Sequence, residues 1–135
     1  MFTIDIESVN GGIYRSREQA ATLPAARRLV REGLRGLDCY HLVFIADADT
    51  GRRLYYGGRG GRSGWTFWSV KPMTRTEMKS SLTRSLGSGF AALHVLAILG
   101  HHGEYKFTRT DAYGVLHWRA RRYEDGTYAL DKIPA

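Results

Sequence analysis

From Phe90 to Leu99 the chain is apolar at every position except His94. A helix of that composition has to hide most of its surface, and ten residues are about half of what a bilayer crossing requires. The run therefore predicts a core helix over 89–99, with Ser88 as its N-cap and Gly100 as its stop. Just upstream, Met78, Leu82 and Leu86 recur every fourth residue and predict an amphipathic helix over 74–86, with Gly87-Ser88-Gly89 as the break. A single kinked helix satisfies the same pattern.

Such a helix needs sheet or further helices to bury it, and the flanking sequence supplies strands. Phe2, Ile4 and Ile6 alternate with polar residues, which predicts strand 2–8, ended by Asn10-Gly11-Gly12. Ser16 offers an N-cap with Gln19 three residues on, and Pro24 either ends that short helix or opens another. Ala26, Leu29, Val30, Gly33, Leu34 and Leu37 then form one apolar helical face, while Arg27, Arg31 and Arg35 form a basic one, expected to be solvated.

Cys39 to Ala46 is nearly continuously apolar, as in a central strand covered on both sides. Asp49-Thr50-Gly51 turns it into a second strand at Leu54-Tyr55-Tyr56. Five glycines between 57 and 64 predict a loop. Three strands, 104–109, 114–123 and 127–133, complete the chain.

In the last hairpin, a three-residue loop with left-handed Gly126 pairs Arg122 with Tyr128, Ala120 with Leu130 and Trp118 with Lys132. That register gathers apolar groups on one face and leaves His117, Arg119 and Arg121 on the other. The element order predicts an α+β fold: a single domain of 135 residues, with an antiparallel sheet of five to six strands and two to three helices on one side.

Charge narrows the partners. Residues 50–123 hold ten Arg and three Lys against three acids, whereas the segments on either side are slightly acidic. A local cationic excess attracts polyanions. The first seven residues lack the basic-then-apolar order of a signal peptide, and the lone Cys39 suits a reducing compartment. A cytoplasmic protein that does not enter membranes is the expectation.

The segment from Tyr55 to Trp68 interleaves aromatic residues, glycines and arginines. Guanidiniums hold phosphates, and aromatic rings stack on bases. Arg52, Arg53, Arg59 and Arg62 are expected on phosphates and Trp65 or Trp68 on a base. A second cluster, His117, Arg119, Arg121 and Arg122, is expected to track a phosphate backbone from a sheet face. His94, His101 and His102 lack companion ligands at metal spacing, Cys39 lacks a placeable base, and Asp47-Ala48-Asp49 opens a turn and not a calcium loop. No metal or cofactor is expected.

The run Val43–Gly57 resembles the paired strands of GIY-YIG endonucleases, with Phe44 and Tyr55 eleven residues apart. That family has tyrosine at both motif positions, a catalytic arginine on the next helix and a later glutamate that holds a divalent metal. Here Phe44 replaces the first tyrosine and Leu42 the first glycine, and Arg59, Arg62 and Glu77 do not match the family's offsets.

Three functions follow in order. The leading expectation is a non-enzymatic nucleic-acid-binding protein. The second is a small interaction or inhibitor protein that docks on an acidic protein partner, because Trp, Tyr and Arg dominate such interfaces. The third is a metal-dependent nuclease, which the family resemblance implies.

Overall fold

The computed structural model describes residues 1–8, 13–16, 18–33, 41–60, 64–112 and 114–134, and of Arg59 the backbone alone. The fold is α+β, and the described residues form three helices and eight strands in two antiparallel sheets of five and three strands. Contacts divide the chain into two compact units, 1–70 and 71–133, each with its own core. No helix among the described residues is long and apolar enough to cross a membrane.

The first unit contains β1 (Phe2–Glu7), β2 (Ile13–Arg15), α1 (Leu23–Gly33), β3 (Leu42–Asp47), β4 (Arg53–Gly60) and β5 (Gly64–Ser69), in sheet order β2-β1-β3-β4-β5. Alternation sends Ile4, Ile6, Val43 and Trp65 to one face, where Val30 of α1 packs on them. Ala26 and Ile45 extend that layer.

No helix starts at Ser16. The Ser16 hydroxyl caps only a local turn at Glu18, and Phe2 and Ala20 exchange two backbone hydrogen bonds of 2.7 and 2.9 Å that keep the chain extended. The helix opens instead at Leu23, with Pro24 in its first turn and the Thr22 hydroxyl accepting the Ala25 N–H. A proline there forfeits no helical hydrogen bond.

β3 is the central strand, as expected, and its consecutive residues Ile45 and Ala46 are both buried, one on each face, but Leu42 at its start is exposed on the face opposite α1. Cys39 lies outside the described residues. The Asp47 carboxylate accepts the N–H groups of Asp49 and Thr50 at 2.8 and 3.0 Å, and Gly51 takes φ +73°, which turns β3 into β4. Those backbone donors hold the Asp47 carboxyl below the usual carboxylate range.

The glycine run is strand and not loop as far as Gly60, and β5 resumes at Gly64. Gly57 faces Phe67 so closely that a Cβ would lie 2.9 Å from its ring. The glycine is there so that an aromatic ring can lie against the backbone of the neighbouring strand.

The second unit contains α2 (Arg75–Leu86), α3 (Gly89–His102), β6 (Glu104–Asp111), β7 (Gly114–Arg122) and β8 (Tyr128–Ile133). Thr74 and Glu77 form a reciprocal capping box at the start of α2. Left-handed glycines at 87 and 103 end the two helices, so α3 runs one turn beyond the expected stop at Gly100.

Met78, Leu82, Ala92, Val95, Leu96 and Leu99 pack on Ala120 and Tyr128 of the sheet. α3 is not wholly interior, for Phe90 is 85% exposed and Leu93 is also open. A helix in a layer beside one sheet is covered on one side only, whatever its composition. The final hairpin has the anticipated register: Arg122 faces Tyr128, Ala120 faces Leu130 and Trp118 faces Lys132, with Gly126 at φ +81°.

Candidate functional site

Antiparallel pairing aligns one residue from each strand of the five-stranded sheet into a row on the face opposite α1. Across the sheet the row is Arg15, Asp5, Phe44, Tyr56 and Trp68. Its two ends differ in chemistry.

At the β1–β2 end the row is filled by charge. Asp5 is 1% exposed and takes two bonds from Arg15, Nε to Oδ1 at 2.7 Å and a terminal nitrogen to Oδ2 at 3.1 Å. The Arg15 guanidinium is held above its ordinary pKa by that hydrogen bond and by the Asp5 charge, against a smaller opposing effect of burial.

Arg53 reaches the same carboxylate at 3.5 Å and lies 4.1 Å from the Phe44 ring centroid. A register shift between Ile45 and Ala46 turns Arg53 to this face: Ala46 pairs with Arg53, whereas Ile45 pairs with Tyr55, so Leu54 is the extra residue. The arginine that sequence reasoning put on a phosphate is thus an interior group, 8% exposed. Phe44 supplies a ring to this cluster and has no hydroxyl at the position where GIY-YIG enzymes have tyrosine.

At the β4–β5 end the row is open. Tyr56 and Trp68 stack at 5.3 Å with 27° between their planes, and they remain 37% and 47% exposed. Gly58 lies beside the indole, where even a Cβ would be only 3.7 Å from Cζ3. A flat aromatic surface therefore stands over a strand with no side chain to obstruct it. Leu42, opposite Gly58, is exposed on the same face.

Period two separates the tryptophans. Trp68 belongs to this open face, while Trp65 is buried against Ile4, Ile6, Val30 and Val43 and is not available to stack on a ligand. Arg52 is half-buried in the turn before β4, its N–H bound to the Thr50 hydroxyl at 3.2 Å. Arg62 and the side chain of Arg59 lie outside the described residues. Tyr56 was not singled out in the sequence, where only its strand position, two residues before Gly58, hinted at an open neighbour.

In the second unit, His117, Arg119 and Arg121 do share the sheet face turned away from the helices. Arg122 does not: it is one residue further on, opposite Tyr128, on the other face. The cationic row is also compensated. Glu104 of β6 lies 3.5 Å from Arg121 and 3.6 Å from Lys106, and Asp131 of β8 faces Arg119. Burial, reinforced by neighbouring Arg121, lowers the Arg119 pKa, and Asp131, Tyr123 and Glu104 act against this. Three permanent cations against two carboxylates make this a mixed surface, weaker toward phosphate than a row of unopposed arginines.

Among the described residues, no three His, Cys, Asp or Glu side chains come together as a metal site would require. Compared with protein-family models, curated proteins and solved structures, the chain matches none.

Proposed function

We propose that this protein binds single-stranded nucleic acid on the open face of the five-stranded sheet. The observation that carries the reading is the exposed Tyr56–Trp68 stack. Bases in a duplex are stacked on each other and hidden from a flat aromatic surface, whereas an unpaired base has a free face to offer. An antiparallel sheet backed by a helix holds the rings rigidly, so little order is lost on binding. The first unit carries ten arginines against seven acids, a surplus suited to the phosphates that accompany those bases.

Fluorescence anisotropy with single-stranded DNA, RNA and duplex probes tests this. Single strands are expected to bind most tightly, and W68A to weaken them about 5- to 150-fold, the range of one lost base stack. Absence of binding at about 50 mM salt, where such contacts are strong, ends the proposal.

Exposed Leu42 beside the stack favours a second reading, an acidic protein partner, because an aliphatic side chain adds contact area to an interface but no base stacking. Co-purification of one defined protein, with no affinity for oligonucleotides, would select it. Incubation with plasmid and Mg²⁺ tests the nuclease reading, and cleaved plasmid would replace binding as the primary activity.

A further inference from the structure

We infer that α1 carries a separate phosphate-binding groove, on the side of the sheet away from Tyr56 and Trp68. The inference does not depend on the base-stacking reading. Arg27, Arg28 and Arg31 line an open groove of about 350 Å³ together with Pro24 and Glu32.

Three guanidiniums within about one helical turn repel each other, and a solvated helix surface relieves this by pointing them apart or pairing them with acids. Neither happens here. Arg27 folds over the Tyr55 ring at 5.3 Å and the Phe67 ring at 5.8 Å, and Arg31 approaches the same Phe67 ring at 5.6 Å. Two cations thus lie near a single ring. Among the described residues none of the three makes an ion pair with a carboxylate, Glu32 included. The Nε–H of Arg27 is shut off from solvent with no hydrogen-bond partner, which leaves the terminal guanidinium nitrogens as the donors a ligand could reach.

Aromatic contact fixes where these side chains lie, but it satisfies neither their charge nor their N–H donors. A tetrahedral oxyanion supplies both. Guanidinium forks match phosphate oxygens in pairs, and a dianion neutralises two of the three charges at once. The groove is of a size for a small ligand, at the lower end of the usual range for binding pockets. The phosphate is either a free ion or a phosphodiester of a bound strand, and the chemistry of recognition is the same.

Amide chemical shifts of the ¹⁵N-labelled full chain decide the matter. Inorganic phosphate, added against chloride at matched ionic strength, is expected to shift residues 24–32 saturably. R28Q, which removes an exposed arginine without touching the rings, is expected to weaken that response about tenfold, and R27Q/R31Q to abolish it. W68A is expected to lose oligonucleotide affinity and to keep the phosphate response, so the two sites fail separately. If only an oligonucleotide shifts 24–32, the source is a strand phosphodiester. If neither phosphate nor oligonucleotide shifts them, or if R28Q and R27Q/R31Q respond as the wild type does, the groove is no phosphate site.

Discussion

Asp5 shows how a residue read as the polar side of an alternating strand becomes structural. In sequence it is the outward partner of Ile4 and Ile6, but two arginines close over it until it is 1% exposed. Arg53 is nearly as buried, so removing the carboxylate takes a counter-charge from a guanidinium held away from water. D5N is expected to destabilise the protein by about 3–5 kcal/mol in urea denaturation. The double variant D5L/R53M, which removes both interior charges together, is expected to cost less than D5N alone; an equal or greater cost would show that shape, not charge, governs the site. The same contrast separates Trp65 from Trp68. Both have the composition of a stacking residue, and only strand parity, fixed by the pairing of β5 with β4, sends one to the core and the other to the surface.

Short-range chemistry dictated the elements that came out as anticipated. The β7–β8 hairpin depends on three loop residues and one left-handed glycine, all adjacent in the chain, so its register could be derived from local rules. The α2–α3 pair depends likewise on left-handed Gly87, on the Ser88 N-cap and on spacing four. The capping box at α2 gives a test by pH. Glu77 lies below its ordinary pKa chiefly because it accepts the Thr74 N–H, with the Thr74 side chain adding to this. A lowered carboxylate contributes stability that is fully present above the ordinary glutamate range, about 4.3, and is lost as pH falls through the lower folded value. The difference in melting temperature between wild type and E77Q is thus expected to hold steady from pH 7 to about 5 and to close below about 4. A difference independent of pH would mean the charge is idle. β2 and β5 were missed for different reasons. The three residues of β2 carry little strand signal alone and exist because β1 offers them a partner, whereas Trp65-Thr66-Phe67-Trp68 of β5 has strand-forming residues that the preceding glycine run, read as a loop, concealed.

At the scale of the whole chain, the charge excess that sequence confines to residues 50–123 is shared by the two units. The first has ten cations against seven acids, and the second ten against six. With Asp5 and Glu104 holding arginines of their own units, the surplus left over is only three charges in the first unit and four in the second. Nucleic-acid affinity is therefore expected to depend on salt only modestly, with log affinity falling against log salt at a slope of about −2 on single strands, as for three neutralised phosphates. A slope near zero would remove phosphate contacts from the reading, and one steeper than about −5 would require many more of them. The sequence by itself determined the α+β class, the two helices of the second unit, the turns at 49–51 and 124–126, and the surplus of positive charge. All of these follow from near neighbours or from composition. Tertiary structure alone decided which strands share a sheet, that Asp5 gathers Arg15 and Arg53, that Trp68 is outside with Tyr56 beside it, and that Arg27 and Arg31 lie against Phe67. Those facts join residues up to 48 positions apart, and only the hydrogen-bonded register of distant strands, which no local pattern encodes, brings them together.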